Sequence, residues 1–320
     1  MLPIFDGWFL ISFKYGVRLI LDMIEIIFLG TSSMVPTKER NHTSILVSFK
    51  GNHILVDCGE GTQRQLTLAG ISASKITKIL ITHWHGDHVL GLPGLIQTMA
   101  AQGYEKVLEI YGPKGTKDRF EHMFRAFEFE RDRIKIKITE IKNGIFFEND
   151  EYSLECAELE HGITCLGYSF IEKDRRRIDL SKAKKFGLKE GPLLGKIQNG
   201  EIVVFNKKKI KPDDVSYVVE GRKITFVLDT LPSKNAYGLA KDSDILVCEA
   251  TYESSLEEKG ESYYHMTAKQ AASIANKANV KKLILTHISA RYKDYKKVEE
   301  DAKDIFDNVA CAYDFMKVRL

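Results

Sequence analysis

The sequence predicts an α/β protein in which two mixed β-sheets pack face to face and helices cover their outer faces. The chain has 320 residues, of which 44% are hydrophobic, so it can bury a sizeable core in one large domain or two ordinary ones. Apolar runs typical of strands are followed by helical segments, and this order occurs twice along the chain. The composition excludes a disulfide-stapled miniprotein, a collagen-like chain and a mainly disordered one.

The first half of the chain alternates strand-like and helix-like segments. Strands are predicted from short apolar runs bounded by turn residues, and helices from longer segments with helical spacing. Residues 62–70 predict a short helix, because the segment ends in Gly70, a natural C-terminal stop. The predicted elements are strands at 24–30, 45–49, 53–59, 78–82 and 107–112, helices at 62–70, 92–103 and 114–127, and further strands near 134–139, 145–147, 152–159 and 165–171.

The same pattern resumes after residue 211. Strands are predicted at 223–229, 244–250 and 281–287, and helices at 233–241, 267–280 and 294–306. These segments supply the second sheet and its helices, so the complete prediction is a four-layer sandwich.

Residues 173–211 interrupt this pattern and are strongly basic. They contain 13 Lys and Arg against 4 Asp and Glu, a net charge of +9, whereas the whole chain carries only +3. The rest of the chain therefore carries −6. Such a concentration of positive charge is the footprint of a contact with a phosphate backbone, and the alternative is a solvated charged loop.

The N-terminal 22 residues are apolar but are interrupted by Asp6, Lys14, Arg18 and Asp22. These charges argue against a secretory signal and against a membrane-spanning helix. A weakly amphipathic interfacial helix stays open. We favour Met23 as the real start, because the first convincing strand follows it directly; native peptides from residues 1–22 would contradict this.

The five cysteines are odd in number and no pair has the spacing of a CxxC motif. We interpret them as reduced structural thiols in a cytoplasmic protein.

The strongest chemical signal is a His-rich loop, His83-Trp84-His85-Gly86-Asp87-His88, directly after a predicted strand. Histidines two positions apart on an irregular loop can turn toward one point, and Asp87 and His88 toward a second point nearby. Imidazole nitrogens with carboxylate oxygens suit Zn²⁺, and other borderline divalent ions less well. The alternative, a polar loop that happens to be rich in histidine, fits poorly with three His and one Asp in six residues.

Four ligands in one loop cannot complete two metal sites, so we expect the remainder from other strand ends. His161, Asp229 and His287 each follow an apolar strand immediately. Any one of them alone would be interpreted as an ordinary polar residue, but together with the His-rich loop they are candidate ligands. His265 precedes a helix instead and is better placed as a non-ligand acid near the metals.

Several of these motifs together resemble the metallo-β-lactamase superfamily and, within it, the tRNA 3′-processing endonucleases of the ribonuclease Z family. The residues that carry the resemblance are FLGTSS at 28–33, DCGEGTQRQ at 57–65, THWHGDH at 82–88, His161, LDT at 228–230, CEATY at 248–252, His265 and LTHISARY at 285–292. The resemblance spans residue 23 to about residue 316 and implies the metallo-β-lactamase four-layer αβ/βα sandwich with a protruding basic arm.

The resemblance implies two Zn²⁺ ions, and in this family paired cations clamp the attacking and leaving oxygens of an in-line displacement. It assigns His83, His85 and His161 to one zinc and Asp87, His88 and His287 to the other, with Asp229 bridging both. Asp87 would also orient or deprotonate the attacking water. His265 would protonate or stabilise the leaving 3′ oxygen, with Glu249 orienting its ring. The expected products are a tRNA 3′-hydroxyl and a trailer with a 5′-phosphate.

The resemblance also implies substrate-binding segments. The basic segment is similar to the flexible arm that grips the tRNA elbow, and its candidate contacts are Arg175, Arg176, Arg177, Lys184, Lys185, Gly191 and Pro192. Pro36-Thr37-Lys38-Glu39-Arg40-Asn41 matches a PxKxRN loop near the tRNA 3′ end, which makes Lys38, Arg40 and Asn41 candidates; the alternative is an ordinary polar turn. Family members are commonly homodimers, in which one subunit's arm serves the other's site, and no membrane partner is expected.

Two alternatives stay open at this point. One is a phosphodiesterase of the same fold that acts on small or cyclic phosphodiesters, against which the basic segment argues, because a small substrate needs no remote grip. The other is a non-catalytic, metal-stabilised RNA-binding protein, against which the complete ligand set argues, because structural zinc favours closed Cys-rich sites.

Overall fold

Two seven-stranded sheets form the centre of the computed structural model, which describes residues 23–128 and 130–320. The first sheet has the strand order β18-β1-β2-β3-β4-β5-β6. Its strands are β1 (Ile24–Gly30), β2 (Ser44–Phe49), β3 (Asn52–Val56), β4 (Lys78–Leu80), β5 (Val107–Gly112), β6 (Lys135–Glu140) and β18 (Lys317–Arg319). The expectation about residues 1–22 lies outside the described residues.

The second sheet has the strand order β17-β16-β15-β14-β9-β8-β7. Its strands are β7 (Gly144–Glu148), β8 (Tyr152–Leu159), β9 (Cys165–Glu172), β14 (Lys223–Val227), β15 (Ile245–Glu249), β16 (Lys282–Thr286) and β17 (Val309–Cys311). Each sheet is antiparallel in one half and parallel in the other, so both are mixed, as the sequence predicts. The short strands β17 and β18 are not among the predicted elements.

The α-helices of the described chain are α1 (Thr62–Leu68), α2 (Gly86–Val89), α3 (Leu92–Ala101), α4 (Thr116–Arg125), α5 (Leu180–Lys185), α6 (Pro192–Gln198), α7 (Pro212–Val215), α8 (Lys234–Ala240), α9 (Glu257–Ser262), α10 (Ala268–Lys277) and α11 (Lys296–Lys303). The six predicted helices are present as α1, α3, α4, α8, α10 and α11, whereas α2, α5, α6, α7 and α9 are not among the predicted elements. Helix α2 places Asp87 and His88 on a short helix where the sequence predicts an irregular loop. Local chemistry fixes several starts: Ser233 caps α8, and Thr267 with Gln270 forms a capping box on α10.

Three buried apolar cores separate the four layers. The core between the sheets draws from both, and includes Ile26, Phe28, Val47, Tyr168, Phe226 and Val247. A second core joins the first sheet to α1, α3 and α4, and a third joins the second sheet to α8, α10 and α11. The predicted four-layer sandwich is therefore confirmed. Among the described residues, no helix is both long and apolar enough to cross a bilayer.

The basic segment folds into a unit with its own small core. Strand β10 (Arg175–Ile178) pairs antiparallel with β13 (Ser216–Val219), and β11 (Val203–Phe205) with β12 (Lys208–Ile210). The core under these strands consists of Ala183, Leu188, Leu194, Ile197, Val203, Ile210 and Val215. Residues 175–219, called the insert below, thus extend beyond the predicted boundary at residue 211, because β13 closes the unit against β10.

Candidate metal centre

The ends of strands from both sheets meet at one edge of the sandwich, where they bring the predicted ligands together. His83 follows β4, His161 follows β8, Asp229 follows β14 and His287 follows β16. Asp229 and His287 hold left-handed backbone conformations, with φ of 46° and 56°. Residues without glycine's freedom are strained in such conformations, and strain of this kind concentrates at functional sites.

The first ligand group consists of His83, His85, His161 and Asp229. His85 Nδ1 lies 3.0 Å from His83 Nε2 and 3.2 Å from His161 Nε2. His83 Nε2 lies 3.6 Å from Asp229 Oδ2. These atoms converge on one point, as the spacing of the His-rich loop predicts.

The second group consists of Asp87, His88, Asp229 and His287. His88 Nε2 lies 3.3 Å from Asp229 Oδ2, and His287 Nε2 lies 3.3 Å from Asp229 Oδ1. Asp87 Oδ2 lies 3.4 Å from His287 Nε2 and 3.5 Å from His88 Nε2. Asp229 belongs to both groups. Within the second group, its Oδ2 faces His88 and its Oδ1 faces His287.

The donor set fits divalent metal ions. Within the described chain, Asp87 Oδ1, His88 Nε2 and Asp229 Oδ1 are buried and lack a hydrogen-bond partner. Three buried polar atoms left unsatisfied at one point would be costly without a cation between them. Nitrogen and carboxylate donors without cysteine are the ligands of catalytic rather than structural zinc sites. All five cysteines are instead free and buried.

Hydrogen bonds to the outer ring nitrogens orient the histidines. His88 Nδ1 donates to Asp57 Oδ2 at 2.7 Å, and His161 Nδ1 donates to the carbonyl oxygen of Tyr264 at 3.0 Å. Each bond fixes the tautomer that leaves Nε2 facing the centre. Burial lowers the pKa of His83 and His85, which favours the neutral imidazole that metal ligation requires.

A threonine hydroxyl links a buried carboxylate to a candidate ligand on each side of the centre. Thr82 Oγ1 donates to Asp57 Oδ2 at 2.7 Å and lies 3.0 Å from His83 Nδ1. Because its single proton goes to the carboxylate, the hydroxyl oxygen accepts from His83. Thr251 Oγ1 donates to Glu249 Oε2 at 2.7 Å and lies 3.0 Å from His287 Nδ1.

Asp57, Thr82 and Thr251 contact candidate ligands, and the sequence alone does not mark any of them as a site residue. Asp57 follows β3 directly, which is the signal that identifies Asp229, and it lies within the 57–65 motif. Thr82 and Thr251 lie within the 82–88 and 248–252 motifs, but nothing in those motifs marks their hydroxyls, because their contacts depend on which carboxylate lies beside them.

His265 and Glu249 form the predicted pair beside the metal groups. His265 Nδ1 lies 3.1 Å from Glu249 Oε1, which also accepts from the backbone amide of Thr230 at 2.6 Å. Burial opposes the charge on His265, but the Glu249 carboxylate outweighs it and raises the pKa of His265 to about 9. The Glu249 carboxylate thus favours the protonated imidazole, which is the form that can serve as an acid.

The predicted substrate residues in the 36–41 loop differ in accessibility. Lys38 is exposed, whereas Arg40 is only 4% exposed. The Arg40 guanidinium donates to the carbonyl oxygens of Ile288, Ser289 and Tyr292. Asn41 is half-buried and donates through Nδ2 to the carbonyl oxygen of Glu60 at 2.7 Å. Arg40 thus holds the loop against the segment after His287 and Asn41 holds it against Glu60, whereas Lys38 stays exposed.

The predicted contacts in the insert are mostly at its surface. Arg177, Lys184, Lys185, Gly191 and Pro192 are exposed, and Arg175 and Arg176 are half-buried. Arg176 pairs with Asp213 and donates to Ser216 Oγ, so part of its charge is used inside the insert. Pro192 opens α6 directly after Gly191.

Comparisons with known proteins cover nearly the whole chain. It is 43% identical over 299 residues to ribonuclease Z of Methanothermobacter thermautotrophicus, covering 93% of this chain and 97% of that protein. It is 40% identical to ribonuclease Z of Bacillus cereus, covering 91% and 97%. A family model described as anti-Pycsar protein Apyc1 matches residues 24–175.

Solved structures agree on the fold. Human tRNase Z, short form, superposes with a TM-score of 0.65 at 26% identity, covering 92% of this chain and 98% of that one. The metallo-β-lactamase fold protein YhfI from Bacillus subtilis superposes with a TM-score of 0.68 at 16% identity, covering 93% and 100%. Identity near 40% over more than nine-tenths of both chains, on this fold, establishes that the chain belongs to the ribonuclease Z family of metallo-β-lactamase-fold proteins.

Proposed function

We propose that this protein is a zinc-dependent endoribonuclease that removes 3′ trailers from precursor tRNA and leaves a tRNA 3′-hydroxyl and a 5′-phosphate trailer. The observation that carries the proposal is the 43% identity to a ribonuclease Z over 93% of the chain. The two groups of histidines and aspartates at the strand ends support it, because they supply what a metal-dependent phosphodiesterase needs.

The centre holds two Zn²⁺ ions in this proposal. His83, His85 and His161 would hold one, Asp87, His88 and His287 would hold the other, and Asp229 would contribute to both; the two groups with Asp229 in common support this division. When bound, such ions polarise the scissile phosphate and stabilise the charge that develops on its oxygens.

Asp87 orients the attacking water in this proposal and does not act as a strong base. Burial opposes its ionisation, but positive charge beside it holds the pKa of Asp87 well below its ordinary value: that of His88 and His287 when no cation is present. Bound cations would act on the carboxylate in the same direction. A carboxylate with so low a pKa accepts a hydrogen bond readily but takes up a proton poorly.

His265 supplies the proton for the leaving 3′ oxygen. Its Nδ1–H is committed to Glu249, so its Nε2–H is the group available to the substrate. Glu249 keeps the ring charged and fixed in orientation, because its remaining contacts with Thr230 and Thr251 prevent it from turning away.

The insert and Lys38 bind the RNA in this proposal. The insert contains 12 basic and 5 acidic residues, a net charge of +7. Because the insert has its own buried core, its charged surface need not pack against the main domain and is available for RNA. We also propose that the protein is a homodimer and that it acts in the cytoplasm. The five free thiols fit the second proposal, because thiols stay reduced in that compartment.

A second candidate is hydrolysis of small or cyclic phosphodiesters, because the two ligand groups alone do not select a substrate. The chain also matches the family model described as anti-Pycsar protein Apyc1. That match ends at residue 175 and so omits Asp229, His265, His287 and almost all of the insert. The family model therefore covers only the half of the fold that carries the His-rich loop, whereas the ribonuclease Z relatives match more than nine-tenths of the chain. We therefore rank it second.

One experiment tests both candidates. The protein is incubated with a precursor tRNA that carries a 3′ trailer, with chelator, without chelator, and with Zn²⁺ returned after chelation. We expect one cut near the discriminator base, loss of cutting on chelation and its return with Zn²⁺. Hydrolysis of bis-p-nitrophenyl phosphate without precursor cleavage would favour the second candidate. Binding of precursor without any hydrolysis would contradict both.

Glu249→Gln should shift the alkaline limb of the pH–rate profile to lower pH. His265 has a raised pKa, so its acid form is present below about pH 9 and is lost as the pH rises through that value. Without the Glu249 charge, burial dominates and lowers the pKa of His265. Bound cations lower this pKa in both proteins, so the difference between the two profiles is the quantity to measure.

The matched control for this variant is Glu258→Gln, which removes an exposed carboxylate on α9. Its limb should coincide with that of the wild type. An unshifted limb in Glu249→Gln would show that His265 is not the group whose titration limits the rate.

A further inference from the structure

Tyr264 holds a backbone conformation that its side chain disfavours. Its φ is 59°, in the left-handed region where glycine is at ease and a bulky residue is strained. The backbone explains part of this geometry, because the carbonyl oxygen of Tyr264 accepts from His161 Nδ1 at 3.0 Å. A glycine could place that carbonyl at lower cost, so the geometry alone gives no reason for the tyrosine ring.

The ring of Tyr264 lies beside the metal centre and faces water. Its centroid is 6.4 Å from that of His161, and the residue is 46% exposed. It directly precedes His265, whose ring is 5.4 Å from that of His161. A large ring that stays half-exposed in a strained position at a catalytic centre gains nothing from burial, which points to a ligand that covers it.

We propose that the Tyr264 ring stacks on the base of the nucleotide that supplies the leaving 3′ oxygen. This inference rests on the proposed function. His265 presents its Nε2–H to that oxygen, so the nucleotide attached to it must lie against the residues beside His265. Tyr264 is the exposed aromatic residue next in the chain, on the side of His161.

Stacking suits the task, because every base has a π-face. An aromatic side chain therefore holds a single-stranded nucleotide without selecting its sequence. An enzyme that processes many tRNAs needs such tolerance at the cleavage site, where hydrogen bonds to a base edge would favour one base. Tyr264 would fix the position of the scissile phosphate and leave sequence unread.

The first test pairs a protein change with a substrate change. Cleavage is measured for the wild type, Tyr264→Phe, Tyr264→Leu and Tyr264→Gly, on precursor tRNA with a normal or an abasic discriminator nucleotide. We expect removal of the base to slow the wild type and Tyr264→Phe by about tenfold. Tyr264→Leu and Tyr264→Gly should be slow on the normal substrate and lose little more on the abasic one. Equal abasic penalties in all four proteins would overturn the inference.

The choice of variants separates the ring from the backbone. Tyr264→Gly relieves the strain and keeps the carbonyl that binds His161, so its failure cannot be assigned to backbone strain. The matched control is Tyr263→Leu, which removes the 60% exposed neighbouring ring. It should keep the full abasic penalty; if it loses that penalty and Tyr264→Leu keeps it, the assignment to Tyr264 is wrong.

A binding measurement avoids catalysis altogether. Precursor tRNA with 2-aminopurine at the discriminator position and a non-hydrolysable linkage at the cleavage site is bound to the metal-loaded protein, and fluorescence is recorded. Stacking should quench the 2-aminopurine fluorescence in complexes with the wild type and with Tyr264→Phe, but not in the complex with Tyr264→Leu. A wild type that cuts no precursor would defeat the proposed function. A wild type that cuts normally would defeat only this inference if it shows no quenching and if its abasic penalty does not depend on Tyr264.

Discussion

Asp87→Ala should lower the rate of precursor tRNA cleavage by about 10³-fold or more, and should leave the tRNA dissociation constant within about twofold of the wild type. The side chain is 5% exposed and lies within 3.5 Å of His88 and His287. Its removal takes one carboxylate from the second ligand group and leaves Asp229 as the acidic donor there. The RNA contacts proposed for the insert do not involve this residue, so affinity should survive.

Metal content gives a second measure of the same change. Two ions per wild-type subunit should fall toward one in Asp87→Ala if Asp87 is a ligand of the second site. The control Asp118→Ala removes an exposed carboxylate on α4 and should preserve both ions and the rate. Thermal melting of each variant checks that the fold survives. Parallel losses of rate and tRNA affinity would contradict the division of labour between centre and insert.

The candidate ligands could be predicted because their signal is local. A polar residue that directly follows an apolar strand lies at the sheet edge whatever the rest of the chain does, and His161, Asp229 and His287 all have this placement. The His-rich loop indicated a metal site, and only together with it could these isolated residues be interpreted as ligands. Layers and most elements followed from the same local patterns, since strand and helix periods are properties of short segments.

Residues whose role depends on distant partners could not be predicted in this way. Arg40 looks like a substrate contact in its loop, but its partners lie about 250 residues later in the chain. Thr251 matters because it lies between Glu249 and His287. The insert reaches past the predicted limit near residue 211 for a related reason: positive charge ends there, whereas the partner strand of β10 comes afterwards.

Excision of the insert should separate RNA binding from phosphodiester chemistry. The strands at its two ends pair with each other, Arg175 opposite Val219, so the chain leaves and re-enters the main domain at adjacent points. The amide of Gly221 also donates to Asp174 Oδ1 at 2.8 Å, which holds the flanking residues together. A short Gly-Ser linker from Asp174 to Glu220 can therefore replace residues 175–219. Because the insert has its own core, the three main cores stay covered.

We expect the excised protein to bind precursor tRNA on the order of 100-fold more weakly at physiological salt, because a net charge of +7 is removed. The logarithm of its affinity should also depend less steeply on the logarithm of salt concentration. Hydrolysis of bis-p-nitrophenyl phosphate should stay within about twofold of the wild type, since every candidate ligand lies outside the excised range. Sedimentation of both proteins establishes whether a change of oligomeric state contributes.

A full-length variant separates charge from shape. Lys207, Lys208 and Lys209 are exposed in and beside the short hairpin of β11 and β12, and replacing all three by glutamine removes charge while the core beneath them stays intact. For every lysine that binds a phosphate in the complex, its replacement should reduce the salt slope by about 1. If the triple variant weakens binding and lowers the slope, the insert acts through its charge. Unchanged precursor affinity in the excised protein would instead show that tRNA is gripped elsewhere, and the concentration of positive charge in this segment would lose its functional meaning.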